Sequence, residues 1–154
     1  MAPLIKVGDD DYHNVKKGRR PALAALPNLE ADRLVVDLDR QGNASRYLLG
    51  DAADDAGPGA AGFFESTLAF SVRAPKTADF IVETPWEHLH LMASSAALDE
   101  LHVKLESRHK IYKLRDALAA LAGDYDEIWI DTPPALNFYT RSALIAAQGC
   151  LIPF

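Results

Sequence analysis

The chain has 154 residues and a mass of 16.8 kDa, enough for one domain with its own core and too little for two. Hydrophobic residues make up 49% and charged residues 25%, a globular balance that excludes a disordered tail or a fibrous architecture. Lys and Arg number 16 against 22 Asp and Glu, a formal charge of -6. A free-standing nucleic-acid binder usually carries a basic excess, so composition argues against that class and leaves room only for a local basic patch.

Cys150 is the single cysteine, so an internal disulfide is excluded and a reducing compartment is suited. No apolar run approaches the roughly 20 residues of a membrane-spanning helix. Three acids, Asp9 to Asp11, stand where a signal peptide needs its apolar stretch. The expectation is a soluble cytoplasmic protein without a membrane partner.

In chain order, Leu4 to Val7 suits a short strand and Gly8 to Asp11 a turn. The basic run KKGRR follows, and Pro21 fits the first turn of a helix that Pro27 ends. Residues 1–32 are expected to be the least regular part of the chain. Arg33 to Asp39 is apolar and β-branched, as in a strand buried on both faces. Asn43 and Ser45 are N-cap types for a short helix to Leu49, closed by Gly50. Residues 51–60 read as a surface loop. Phe63, Phe64, Leu68 and Phe70 suggest a helix with an aromatic face in the core.

Asp79 to Thr84 and Leu89 to Ala93 read as two short strands around a turn at Pro85. Leu98, Leu101 and Leu105 have helical spacing, as do Ile111, Leu114, Leu118 and Leu121, with Gly123 as the expected C-cap. Glu127 to Asp131 is a second apolar strand ending in an acid, stopped by Pro133 and Pro134. Asn137 opens a helix to about Ala147, and Cys150 to Pro153 begins another strand, with Cys150 buried in it. Strands alternating with helices imply an α/β fold, a mainly parallel sheet with helices on both faces.

Two constellations can carry chemistry. In Asp37-Leu38-Asp39-Arg40-Gln41-Gly42-Asn43 the strand period turns Asp37 and Asp39 the same way, at the carboxyl end of an apolar strand. In open parallel sheets that edge binds ligands. Two carboxylates there can position a metal-bound water or orient an attacking one; the plain alternative is a strand ending in a polar turn. In Ile128-Trp129-Ile130-Asp131-Thr132-Pro133-Pro134 an apolar run ends in an acid, the generic pattern of a carboxylate that holds Mg²⁺ beside nucleotide phosphates.

VVDLDRQGNAS and YDEIWIDTPPALNFYTRSALIAA closely resemble two hallmark segments of the ParA/MinD family, the deviant P-loop ATPases that partition plasmids and chromosomes. The similarity covers roughly residues 33–154 and includes IVETPWEHLHLMASS between the hallmarks. The resemblance implies an incomplete P-loop NTPase fold. It implies a catalytic Asp39 that helps orient the hydrolytic water, and Asp131 supporting Mg²⁺; Asp37 joins Asp131 as a candidate metal-side acid. It further implies ATP and Mg²⁺ as cofactors, a homodimer, non-specific DNA, and a ParB-like partner protein that stimulates hydrolysis.

This sequence departs from the family pattern in three places. Arg40 stands where the family's first motif, D-x-D-P-Q-G-N, has proline. The K-G-G-x-G-K-[ST] phosphate loop, whose backbone N–H groups and lysines cradle phosphates, has no counterpart. Gly8 is followed by three acids, and Gly18 is followed by Arg-Arg-Pro. No residue is therefore assigned to the phosphates. The family also continues for roughly a hundred further residues, so residues 1–32 are expected to be a divergent N-terminal segment and 33–154 a partial, truncated ATPase domain. The expected function is that of a ParA-like partition-related protein impaired in ATP binding. The rivals are a non-catalytic interaction module with that fold and a non-functional gene remnant.

The remaining signals read as structural. His88 and His90, beside Glu87, are expected to be solvated or capping rather than metal ligands, since the remaining ligands would have to come from elsewhere, such as His102 or His109. KKGRR is expected to be a solvated charge run, and Trp86 the aromatic most open to water.

Overall fold

The computed structural model describes residues 31–70 and 74–152, and the backbone of Leu4–Val7. The readings of a turn at Gly8, a helix from Pro21, a basic run at KKGRR and a missing phosphate loop lie outside the described residues.

The described chain runs β1 (Leu4–Val7), β2 (Arg33–Asp37), α1 (Asn43–Leu49), α2 (Gly59–Leu68), β3 (Val82–Glu83), β4 (Leu89–Met92), α3 (Leu98–Ser107), α4 (Lys113–Ala120), β5 (Glu127–Asp131), α5 (Phe138–Ala146) and β6 (Gly149–Leu151), with short 3₁₀ turns at Gly50–Asp55 and Thr77–Phe80. The strands form one sheet in the order β3-β4-β2-β5-β1-β6. This is an α/β fold. At its centre β2 pairs in parallel with both β4 and β5. The sheet is more mixed than the sequence suggests. The connection between β3 and β4 is too short for a crossover, so they pair antiparallel as a hairpin, and β1 runs antiparallel to β5 and β6.

The strand period sorts the core into two layers. Leu34, Val36, Leu38, Ile128 and Ile130 turn to one face and pack with Phe63, Phe64, Leu98, Leu105, Leu114, Leu118 and Phe138 from α2 to α5. Val35 and Trp129 turn to the other face, with Leu91, Ala93 and Leu48 of α1. Helices therefore cover both faces, with α1, among the described residues, opposite the other four. Among the described residues, no helix is long and apolar enough to cross a membrane.

Several local expectations need correction. The N-cap of α1 is Gly42 in the left-handed region, not Asn43 or Ser45, although Gly50 does close the helix. Residues 51–60 are not all loop, because a 3₁₀ turn continues directly from α1. Only Val82–Glu83 of the strand expected from Asp79 is extended; Thr77–Phe80 winds into a 3₁₀ turn that buries Phe80. The C-cap of α4 is Leu121 rather than Gly123. Phe70 lies beyond the end of α2, where the backbone has turned extended, and is fully exposed. Cys150 is exposed because β6 is an edge strand.

Asn137 caps α5 as expected, its side chain accepting from the Thr140 N–H at 3.1 Å. Replacing Asn137 with Ala is expected to cost about 1 kcal/mol, the usual loss of an N-cap, read as a lower midpoint in urea denaturation; an unchanged midpoint would contradict the cap.

Candidate functional site

The parallel register sets Asp37 of β2 directly beside Asp131 of β5. Adjacent strands lie about 4.8 Å apart, and one residue further on the Leu38 N–H donates to the Asp131 carbonyl at 2.9 Å. Asp39 follows two residues beyond Asp37, and both stand on the α1 side of the sheet. The three acids singled out in the sequence thus gather at the carboxyl edge of adjacent parallel strands.

Asp37 is fully buried and its oxygens are engaged. Oδ1 accepts the Asp39 N–H at 3.1 Å, and Oδ2 accepts the Ser45 N–H at 2.8 Å and the Ser45 hydroxyl at 2.7 Å. The carboxylate thereby ties the first turn of α1 to the strand end. Ser45 Oγ in turn accepts the Ser94 N–H at 2.9 Å, and Ser94 Oγ donates to the Asp39 carbonyl at 2.5 Å. Asp39 Oδ1 accepts the Gln41 N–H at 3.0 Å. These bonds fix the backbone of the Asp37–Gly42 turn from three sides, and Gly42, at φ 62, supplies the left-handed turn into α1. Ser94, just past β4, is a member that sequence reasoning missed; its one available signal was its place after a strand that ends at the same edge.

Arg40, the residue in place of the family's proline, pairs with Asp99 in the first turn of α3. Both side chains are exposed, so the pair adds little stability, but it directs the guanidinium to α3. On the β5 side, Thr140 of α5 holds the Thr132-Pro133-Pro134 turn, its hydroxyl lying 2.7 Å from the Ala135 carbonyl and 3.3 Å from that of Pro133.

Electrostatics distinguish the acids. Burial raises the Asp37 pKa, a shift that the Ser45 hydrogen bonds oppose. Asp131 is pushed up to about 7, first by burial, then by the charges of Asp37 and Asp39, with the Thr132 N–H pulling the other way. A carboxylate held near neutrality by two others is a place where a cation is favoured.

Among the described residues no three His, Cys, Asp or Glu side chains converge as a metal cage. A cage is not what Mg²⁺ requires: it keeps several waters and takes one or two carboxylates beside phosphates. The half-buried Asp131 fits that role better than Asp37, whose oxygens already accept three hydrogen bonds from Asp39 and Ser45. His88 and His90 stand elsewhere, Nδ1 of His88 lying 2.9 Å from Asp32 and Nδ1 of His90 2.8 Å from the Tyr125 hydroxyl. Trp86 is more than half exposed, but it is not the aromatic most open to water, because Tyr47 and Phe70 are more exposed still.

Comparison with known proteins places the fold. The solved cobyrinic acid a,c-diamide synthase from Mycobacterium smegmatis, with a bound ATP analogue and magnesium, is similar in fold at a TM-score of 0.66 and 29% identity, over 77% of this chain and 45% of that one. The family model described as an AAA domain matches residues 22–154. The chromosome partitioning protein ParA of Myxococcus xanthus is 34% identical over 131 residues, covering 84% of this chain and 44% of that protein. The sporulation initiation inhibitor protein Soj of Bacillus subtilis is 31% identical over 121 residues, covering 78% and 45%. The chain belongs to the ParA-like family of P-loop ATPases within the AAA domain group. It spans less than half the length of these two relatives.

Proposed function

We propose that this chain carries the water- and metal-positioning edge of a ParA-like, partition-related ATPase, and that as it stands it does not turn over ATP. The observation that carries the first half is the placement of Asp131 beside Asp37 and Asp39, with its pKa near 7. In this reading Asp131 would hold Mg²⁺ at the strand edge. Asp39, whose Oδ1 is fixed by the Gln41 N–H, orients the attacking water. Asp37 is a positioning residue that holds the turn and α1 in place. Mg²⁺–ATP, where bound, would supply the electrophilic γ-phosphate and the cation that offsets its developing charge; the acids of this chain would supply orientation.

The second half rests on the sequence, which lacks K-G-G-x-G-K-[ST]. Losing one preorganised donor to developing charge costs about 3–4 kcal/mol in an enzyme site, and several are lost here. The family setting adds a homodimer, a ParB-like partner protein, non-specific DNA and a cytoplasmic location.

The test is calorimetry with Mg²⁺–ATP alongside a turnover assay, on the chain and on its Asp39→Ala variant. Turnover at background in both is the expected result. Hydrolysis that disappears in the variant would overturn the claim of inactivity and place a phosphate site in this chain.

A further inference from the structure

The segment that leads from the end of β4 into α3 meets the turn of the acidic cluster at two points. The Ser94 hydroxyl donates to the Asp39 carbonyl at 2.5 Å, and Asp99 pairs with Arg40. The same Asp39 carbonyl accepts the Gly42 N–H at 2.8 Å, so one oxygen joins the turn into α1 to the end of β4. The Ser94 N–H donates to Ser45 Oγ at 2.9 Å, and that hydroxyl donates to Asp37 Oδ2 at 2.7 Å. Ser94 is thus bonded to the backbone of Asp39 and, through Ser45, to the carboxylate of Asp37. It is half-buried, and Ser45 and Asp37 are buried, so water competes poorly for these bonds.

The place of Ser94 is set from the opposite face of the sheet, by α2. The Ala60 N–H donates to the Ala93 carbonyl at 2.8 Å. Gly59, the first residue of α2, lies in the left-handed region at φ 45. A Cβ there would stand 2.1 Å from the Ala93 oxygen and 3.0 Å from its carbonyl carbon. No side chain fits that gap, so α2 closes on Ala93 only because residue 59 is glycine. Phe63 and Phe64 then seat α2 in the core. At the far end of the segment the Tyr139 hydroxyl of α5 donates to the Leu98 carbonyl. Two core helices that carry none of the three acids therefore fix the segment that holds their turn.

We propose that Ser94 is a positioning residue for Asp39 and Asp37, and that the contact of Gly59 and Ala60 with Ala93 sets its place, so that α2 adjusts the acidic cluster without touching it. The proposal rests on reading Asp39 as the residue that orients the attacking water.

The test is native-state amide hydrogen exchange on the full chain and on its Ser94→Ala and Gly59→Ala variants. The Gly42 and Ser45 N–H groups report the turn, and the Arg33 N–H, bonded to the His88 carbonyl at the other end of β2, is the internal reference. In both variants Gly42 and Ser45 are expected to exchange about three to ten times faster relative to Arg33, the effect of one lost hydrogen bond. Ser94→Thr keeps the hydroxyl and is expected to match the parent. So is Ser66→Ala, which removes an equivalent bond, to the Phe63 carbonyl, elsewhere on α2. Coupling is reciprocal, so Ser94→Ala also speeds the Ala60 N–H, and this reads the α2 link even where Gly59→Ala does not fold. Acceleration shared equally by Arg33, or none at Gly42 and Ser45, would overturn the proposal. An Ala60 N–H unmoved in Ser94→Ala would overturn the part assigned to α2. Line broadening of the Asp131 and Thr132 amides by Mn²⁺ gives the second readout, with about tenfold more Mn²⁺ expected for the same broadening in Ser94→Ala. Equal Mn²⁺ response in parent and variant would count against Ser94. No broadening in the parent would instead overturn the reading of the acidic cluster, and the exchange rates would still decide the role of Ser94.

Discussion

Replacing Phe64 with Ala is expected to destabilise the protein by about 3–5 kcal/mol, the range for emptying a fully buried phenylalanine site. Phe64 has no exposure and lies in the layer between α2, α5 and the sheet. Its ring meets Phe63, Phe138 and Tyr139 edge-on, with centroids 5.0, 5.7 and 5.3 Å away. Such pairs add to the transfer term, and the cavity would open among rings that cannot collapse together without leaving their rotamers. Domains of this kind are stable by about 5–15 kcal/mol in total, so the variant should melt about 10 °C or more below the parent. A melting temperature within a degree or two of the parent would show that α2 does not pack on α5 as described. Such a result would also loosen the position of the Thr132-Pro133-Pro134 turn, which α5 holds.

Replacing Asp131 with Asn is expected to have the opposite sign and to depend on pH. The folded-state pKa of Asp131 is raised from 3.8 to about 7. Between those values the folded chain holds a proton that the unfolded chain has released, so stability falls as pH rises and levels off above about 7. Asn carries no such charge. Discounted for the partial access of Asp131 to water, the variant should be more stable than the parent by about 2 kcal/mol near pH 8, shrinking towards zero near pH 4. Urea denaturation at the two pH values measures both ends. A variant less stable than the parent at about pH 8 would mean that the carboxylate is paired with a positive charge rather than crowded by negative ones.

The acidic cluster was legible in the sequence because its signal is local. Each acid ends an apolar, β-branched run, and that pattern places a residue at a strand end without any knowledge of its neighbours. The parallel pairing of β2 with β5 followed from the intervening helices, since a crossover needs their length. The hydrogen bonds that give each acid its role were not legible. Ser45 had the character of a helix cap, yet it spends its N–H and hydroxyl on Asp37 eight positions earlier, and Ser94 reaches Asp39 from 55 positions away. Such partners are set by the tertiary fold. The same limit explains Cys150, whose exposure depends on β6 being at the sheet edge, and the opposed direction of β1, which four residues of strand pattern do not encode.

The most direct test of the acidic cluster is a carboxyl-carbon NMR titration of the aspartates, with the Asp131→Asn variant assigning the signal and the measurement repeated with Mg²⁺. Interacting carboxylates titrate as a set, so the expected result is one step near 7 that disappears in the variant and moves to lower pH when Mg²⁺ is added. A titration of Asp131 close to the ordinary aspartate value of about 4, unmoved by Mg²⁺, would contradict a crowded, cation-seeking cluster at this edge of the sheet.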